Sequence, residues 1–183
     1  MYRLTQILLR VFIALLIIIL VTTVCIGIAY RLFPSKHSDI ISKYCDEFDV
    51  SPCLVMALIK AESNFEENAV SRAGAKGLMQ LTDETFEYCT KVLGASFSSE
   101  DIFNPEANIC AGVWYLSYLL EKYDGNITNA VAAYNAGLAN VDKWLGDTAY
   151  SPDGKTLSDI PYGETKRHCE KIKAYSKLYK FLY

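Results

Sequence analysis

The chain has 183 residues, 51% of them hydrophobic, with 18 basic and 21 acidic side chains and a formal charge of −3. That length holds one domain with a sizeable core. The acidic balance and the lack of a basic patch argue against a nucleic-acid partner and against polybasic attraction to anionic lipid.

The first ten residues form a short tail with Arg3 and Arg10. Val11 to Tyr30 then runs 20 residues without a charge. As a helix it spans about 30 Å, the depth of a bilayer core. A cleaved signal peptide is the rival reading, but its apolar core is usually about 7–15 residues with a small-residue cleavage site. The expectation is one uncleaved membrane anchor over residues 11–30, in a segment 1–30. Arg31, Lys36 and Lys43 balance the basic residues ahead of the run, so flanking charge does not set orientation. Residues 31–38, with Pro34, read as a short juxtamembrane linker, and residues 39–183 as one domain.

Asp39 to Phe48 reads as a helix with Ile40, Ile41, Tyr44 and Phe48 inward. Ser51-Pro52 is a cap-plus-proline start for a second helix, to about Asn64. Its apolar positions Val55, Leu58 and Ile59 put Glu62 on the same stripe. A carboxylate on a core-facing stripe is costly to ionise, which suits a general acid near neutral pH. The plainer reading is a helix-terminal glutamate whose head bends out to water. Glu66-Glu67-Asn68 reads as a solvated helix end.

Ala69 to Leu81, with Gly74 and Gly77, has too little periodicity for a helix and reads as a loop or a small sheet. Gly77-Leu78-Met79-Gln80 is either a tight loop or a close backbone approach to a flat ligand. Asp83 to Leu93 is a helix opened by Thr82 and closed by Gly94. Asn104-Pro105 starts another, with Ile109, Val113, Leu116 and Leu120 on one face. Thr128 to Asn135 is a short helix stopped by Gly137, and Val141 to Leu145 another short piece. Tyr134-Asn135 could mark a capped helix end or supply a phenol and an amide to one site. Glu164 to Tyr183 closes the chain as a helix with Ile172, Tyr175, Tyr179 and Leu182 inward. The fold class is mainly α, with any β confined to the loop after Glu62.

Cys25 lies in the anchor, leaving Cys45, Cys53, Cys89, Cys110 and Cys169. Their spacings match no zinc pattern, and most sit at apolar helical positions where cysteine behaves as a small hydrophobe. Buried free thiols are the expectation, with one or two disulfides as the alternative. No nucleophile–base pair, HExxH, P-loop or dinucleotide fingerprint is present, so neither metal nor other cofactor is expected. His37 lies in the linker and His168 in the last helix.

Taken in order, Ile59-Lys60-Ala61-Glu62-Ser63-Asn64-Phe65, Ala69-Val70-Ser71, Gly74 to Gln80, Asn104-Pro105-Glu106-Ala107-Asn108-Ile109, Ala132 to Gly137 and Ile160 to Thr165 resemble the soluble-lytic-transglycosylase catalytic domain, a relative of goose-type lysozyme. The resemblance runs from about Ile40 to Tyr183. It implies a lysozyme-like α domain, preceded here by the anchor, and peptidoglycan glycan strands as substrate. By the same resemblance Glu62 is the catalytic acid. It protonates the MurNAc–GlcNAc β-1,4 oxygen, then takes the proton of the MurNAc C6 hydroxyl, leaving a 1,6-anhydro ring. Hydrolysis would usually need a second carboxylate about 5–9.5 Å away.

The carry-over makes Ser63, Met79, Gln80, Tyr134 and Asn135 substrate-binding or site-lining. Tyr134 is expected to hydrogen-bond Glu62, and Met79 to support the sugar groove. One position departs from the pattern. The family block Glu-Thr-Arg-x-Tyr is here Glu164-Thr165-Lys166-Arg167-His168, so His168 stands where a site-lining phenol is expected. The substrate's location implies a single-pass protein in the cytoplasmic membrane whose domain faces the wall. The alternatives are a hydrolytic muramidase on the same fold and a catalytically silent wall-binding scaffold. Protein partners are unknown from the sequence.

Overall fold

The structure is a computed structural model and describes residues 2–94 and 96–183. Met1, the first residue of the predicted tail, lies outside the described residues. The chain divides after Ser35 into two units.

The first unit is one helix, α1 (Tyr2–Leu32), in which no residue is buried. It is about 46 Å long at 1.5 Å per residue, and extends past the charge-free run through Arg10 and Arg3. Among the described residues it is the one helix long and apolar enough to cross a membrane, with an 18-residue stretch of mean hydropathy 3.1. Its side chains Phe12, Ile17, Ile19 and Leu20 are about half exposed, as an anchor's would be before lipid covers them.

The second unit is nearly all helix. α2 (Ser38–Phe48) ends at Asp49, which turns left-handed (φ 53°) and sends its N–H back to Cys45 O. α3 (Pro52–Glu62) starts behind Ser51 with Pro52 in its first turn, as the sequence predicts. It is buried on every side from Leu54 to Ile59, rather than along one stripe. The reason is its position, with α2 on one side and the long C-terminal helix on the other. The helix also stops two residues earlier than predicted. Asn64 (φ 54°) and Phe65 (φ 62°) are both left-handed, which turns the Phe65 ring back into the core. Glu66 and Glu67 therefore sit on an exposed turn beyond the helix end.

Residues 69–81 make a loop with two isolated antiparallel bridges, Val70 to Lys76 and Lys76 to Leu81, and no sheet forms among the described residues. α4 (Asp83–Leu93) has Thr82 capping the Thr85 N–H and Gly94 closing it in the left-handed region. A 3-10 turn (Ser99–Phe103) leads to α5 (Pro105–Lys122), whose cap Asn104 accepts from Glu106 and Ala107 N–H. α5 is the central helix and touches α2, α4 and the one that follows it, which buries it continuously from Ala107 to Val113.

α6 (Ile127–Ala136) starts one residue before the predicted Thr128 and ends one after Asn135. Gly137 does end it, but α7 (Leu138–Leu145) begins at the next residue, three earlier than Val141. A glycine at φ 85° turns the chain sharply without spending a loop. α8 (Gly163–Leu182) packs against α3 and α6. Cys45, Cys89 and Cys110 are buried, and Cys53 and Cys169 partly so.

Candidate active site

The site forms where three helices meet the 69–81 loop. Glu62 is the last residue of α3, and its side chain is only 15% exposed. Solvent therefore does not claim the carboxylate, as the plainer sequence reading would have it. The facing group is His168 on α8, itself 12% exposed, with Nε2 at 3.1 Å from Glu62 Oε1. The ring approaches off the hydrogen-bonding direction, so Nε2 is buried without a hydrogen-bond partner.

The loop that floors the site is held through its backbone. Ser63 is buried, and its hydroxyl donates to Leu78 O at 2.7 Å. This bond ties the residue after Glu62 to the loop. Tyr134, on α6, donates to Met79 O at 2.8 Å. The expected Tyr134–Glu62 hydrogen bond is thus replaced, because a phenol has one proton and the Met79 carbonyl takes it. Burial, followed by the nearby Glu62 charge, holds the Tyr134 phenol well above its ordinary range, so it stays a donor.

Met79 is 0% exposed and meets no solvent, so its side chain supports the site from beneath instead of binding substrate. Its sulfur lies where Gly112 leaves room: a Cβ there would sit 2.4 Å from Met79 Sδ. Gln80 is left-handed (φ 51°), and its amide nitrogen donates to Gly77 O at 2.8 Å and Ala69 O at 3.1 Å. Its N–H groups brace the loop, which leaves the amide oxygen for a ligand. Asn135 is exposed at the end of α6, with Oδ1 accepting from the Thr165 hydroxyl at 2.8 Å. Lys171 on α8 donates to Ala61 O at 3.2 Å, satisfying one of the last carbonyls of α3.

The residue whose role went unread in the sequence is Asn108, on α5. It is fully buried; Oδ1 accepts from the Met79 N–H at 2.8 Å, and Nδ2 donates to Ile102 O at 2.7 Å and Lys76 O at 3.2 Å. Gly77 fits against it so closely that a Cβ would stand 2.3 Å from Asn108 Nδ2. A buried asparagine on an apolar helix face was the available signal, since such an amide must find partners. Left-handed Asn64, Phe65, Gly77 and Gln80 all lie within this one assembly. Backbone strain of that kind gathers where the surroundings over-determine a functional geometry.

An aromatic run leads away from Tyr134. Tyr115 stands 5.5 Å from it, then Tyr118, Trp114 and Tyr88 follow at ring spacings of 5.8–6.4 Å. A pocket of about 350 Å³ is lined by Tyr88, Tyr115, Tyr118, Leu138, Glu84 and Thr85.

Residues 39–156 match the family model described as Transglycosylase SLT domain. The chain is 33% identical over 155 residues to the soluble lytic murein transglycosylase of Salmonella typhimurium, covering 81% of this chain and 23% of that protein. It is 31% identical over 167 residues to the membrane-bound lytic murein transglycosylase C of Yersinia pestis, covering 79% of this chain and 47% of the relative. The chain thus spans about a quarter to a half of the length of these relatives.

The fold is similar to that of an inactive mutant of the lytic transglycosylase Slt from Pseudomonas aeruginosa, with a TM-score of 0.73, 29% identity, and coverage of 81% of this chain and 24% of that one. It is also similar to a 70-kDa soluble lytic transglycosylase in complex with bulgecin A, with a TM-score of 0.76, 30% identity, and coverage of 84% and 25%. The helix end that carries Glu62, the loop beneath it and the helix that cages them all fall within, or pack onto, the matched residues, and the chain belongs to the Transglycosylase SLT domain family.

Proposed function

We propose that this chain is a membrane-anchored peptidoglycan lytic transglycosylase in which Glu62 is the single acid and base. Residues 1–30 are tail and anchor, 31–38 linker, and 39–183 the catalytic domain, which faces the wall. The observation that carries this is Glu62 itself: a carboxylate 15% exposed, held at a helix end over a braced loop, in a member of this family. The relatives named above are lytic murein transglycosylases, one of them membrane-bound.

The chemistry follows from one carboxyl group used twice. The Glu62 O–H bond breaks as its proton passes to the oxygen linking MurNAc to GlcNAc, and the C1–O bond opens. Glu62, now a carboxylate, takes the proton of the MurNAc C6 hydroxyl as O6 closes onto C1. The proton returns to Glu62, no water is consumed, and the product ends in 1,6-anhydroMurNAc. Ser63, Met79 and Tyr134 fix the loop on which the sugar lies, while Gln80 and the exposed Asn135 offer amide groups to it. The aromatic run from Tyr134 to Tyr88 offers ring faces to successive sugars.

Mass spectrometry of sacculi digested with the full chain is the test. Anhydro ends are expected; reducing ends would mean a hydrolytic muramidase. Glu62→Gln should reduce product by about 100-fold or more, the usual range for losing a general acid. A Glu62→Gln variant that keeps the wild-type biological phenotype, with no product from either protein, would leave a wall-binding scaffold as the remaining reading.

A further inference from the structure

His168 stands against Glu62 without a hydrogen bond of its own. Its Nε2 lies 3.1 Å from Glu62 Oε1, both side chains are about seven-eighths covered, and Nε2 is buried and unpartnered. A buried ring nitrogen without a partner is costly unless some state of the site uses it. α8 packs against α3 and α6, and the titratable groups those helices bring are Cys53, Lys60 and Glu62 on α3 and Tyr134 on α6. Lys60 bonds to Asn64, and Tyr134 gives its proton to Met79 O. Along α8, Lys166 pairs with Asp159 and Lys171 bonds to Ala61 O. Glu62 is the group left for His168 to serve.

We propose that His168 is a positioning residue for Glu62: a neutral imidazole donates its Nε2 hydrogen to the carboxylate whenever Glu62 has lost its proton, and protonation of the ring switches the site off. This rests on Glu62 being the acid and base. In the first transfer the Glu62 proton goes to the glycosidic oxygen. A small rotation of the ring then lets Nε2–H bond to Oε1, which leaves the second carboxylate oxygen for the C6 hydroxyl proton. The imidazole keeps its own proton throughout. Once the ring carries a second proton, its charge lowers the basicity of the Glu62 carboxylate formed in the first transfer, which then takes the C6 hydroxyl proton poorly. Histidine changes charge between pH 5 and 8, whereas a phenol does not. The chain therefore loses activity on the acid side, where a tyrosine at this position would not impose a loss.

The test uses the full chain in detergent micelles and reads two quantities. NMR titration of the two histidines in wild type and Glu62→Gln reads the contact directly, with His37 as internal control. In Glu62→Gln, the His168 titration should change while that of His37 does not. The second readout is kcat against pH on solubilised glycan strands. His168→Tyr should move the acid limb about one unit or more to lower pH. His168→Phe should lower kcat about 10- to 100-fold with a smaller change in KM, and His168→Gln, which keeps an N–H near the same place, should recover part of that loss.

A His168 titration unchanged by Glu62→Gln, or superposable pH profiles for wild type and His168→Tyr, overturns the proposal. Absence of anhydro product from wild type would instead overturn the transglycosylase reading, and the titration would still decide whether the pair is coupled.

Discussion

Asn108 shows how much of a site can rest on a residue that need not touch substrate. Its amide pairs with Met79 N–H, Ile102 O and Lys76 O while fully shielded from the surface. Asn108→Ala should therefore destabilise the protein by on the order of 3 kcal/mol, because buried partners are left unpaired. Thermal melting followed by circular dichroism checks this, and an unchanged melting temperature would refute it. Tyr134→Phe removes one bond to Met79 O and should cost about 1–3 kcal/mol, together with activity, as the loop loses its tie to α6. The sequence pointed to Glu62 through its place after Val55, Leu58 and Ile59, a local pattern. Asn108 was illegible in the same terms because its partner Met79 is 29 residues away. The Tyr134–Glu62 bond was expected from likeness alone, and only the structure shows the Met79 carbonyl 2.8 Å from the phenol.

At the scale of elements, what was legible was what is set locally. Thr82 with Gly94 and Asn104-Pro105 mark helix ends through groups that bond within a few residues, whereas at Ser51-Pro52 the proline alone marks the start and the Ser51 side chain makes no cap bond. Thr82→Ala should cost about 1 kcal/mol, read as a lowered melting temperature, because it removes the cap on Thr85 N–H. The ends that were missed depend on distant packing. α3 stops at Glu62 because Ser63 is drawn to Leu78 O and Phe65 into the core, neither of which a window of neighbours reveals. The α6–α7 junction was misread for a related reason: Gly137 ends one helix and starts the next, a turn that only its φ of 85° discloses. Gly77→Ala should disrupt the loop outright, since the added carbon meets the Asn108 amide and the Ile102 carbonyl at 2.8 Å or less. Gly112→Ala meets Met79 Sδ at 2.4 Å and Met79 Cβ at 2.8 Å but lacks the left-handed backbone of Gly77, so it should be the milder of the two, a ranking that melting curves can reverse.

For the whole molecule, the two units make separate predictions. If α1 is an anchor, the full chain should sediment with membranes and a form lacking residues 1–35 should not; equal solubility would remove the anchor from the proposal. The helical unit should lose stability in alkali. Burial pushes the Cys45 and Cys89 thiols up to about 12, and Cys110 and Cys169 to about 11, from an ordinary value of 9.0. The unfolded chain gives up these protons near pH 9 and the folded chain keeps them, so stability is whole below pH 9 and drains away as pH rises through 11 to 12. Denaturant midpoints should hold from pH 7 to about 9 and fall between pH 9 and 11, and a flat series across that upper range would contradict the burial of these thiols.

The 69–81 loop has two bridges in place of a sheet, yet three of its carbonyls, at Lys76, Leu78 and Met79, are gripped from three directions by Asn108, Ser63 and Tyr134. Nothing in its glycines or its lack of regular structure would suggest a stiff segment, but it can lift only if all three grips release together. Deuterium should therefore enter the Met79 amide as slowly as it enters the middle of α5.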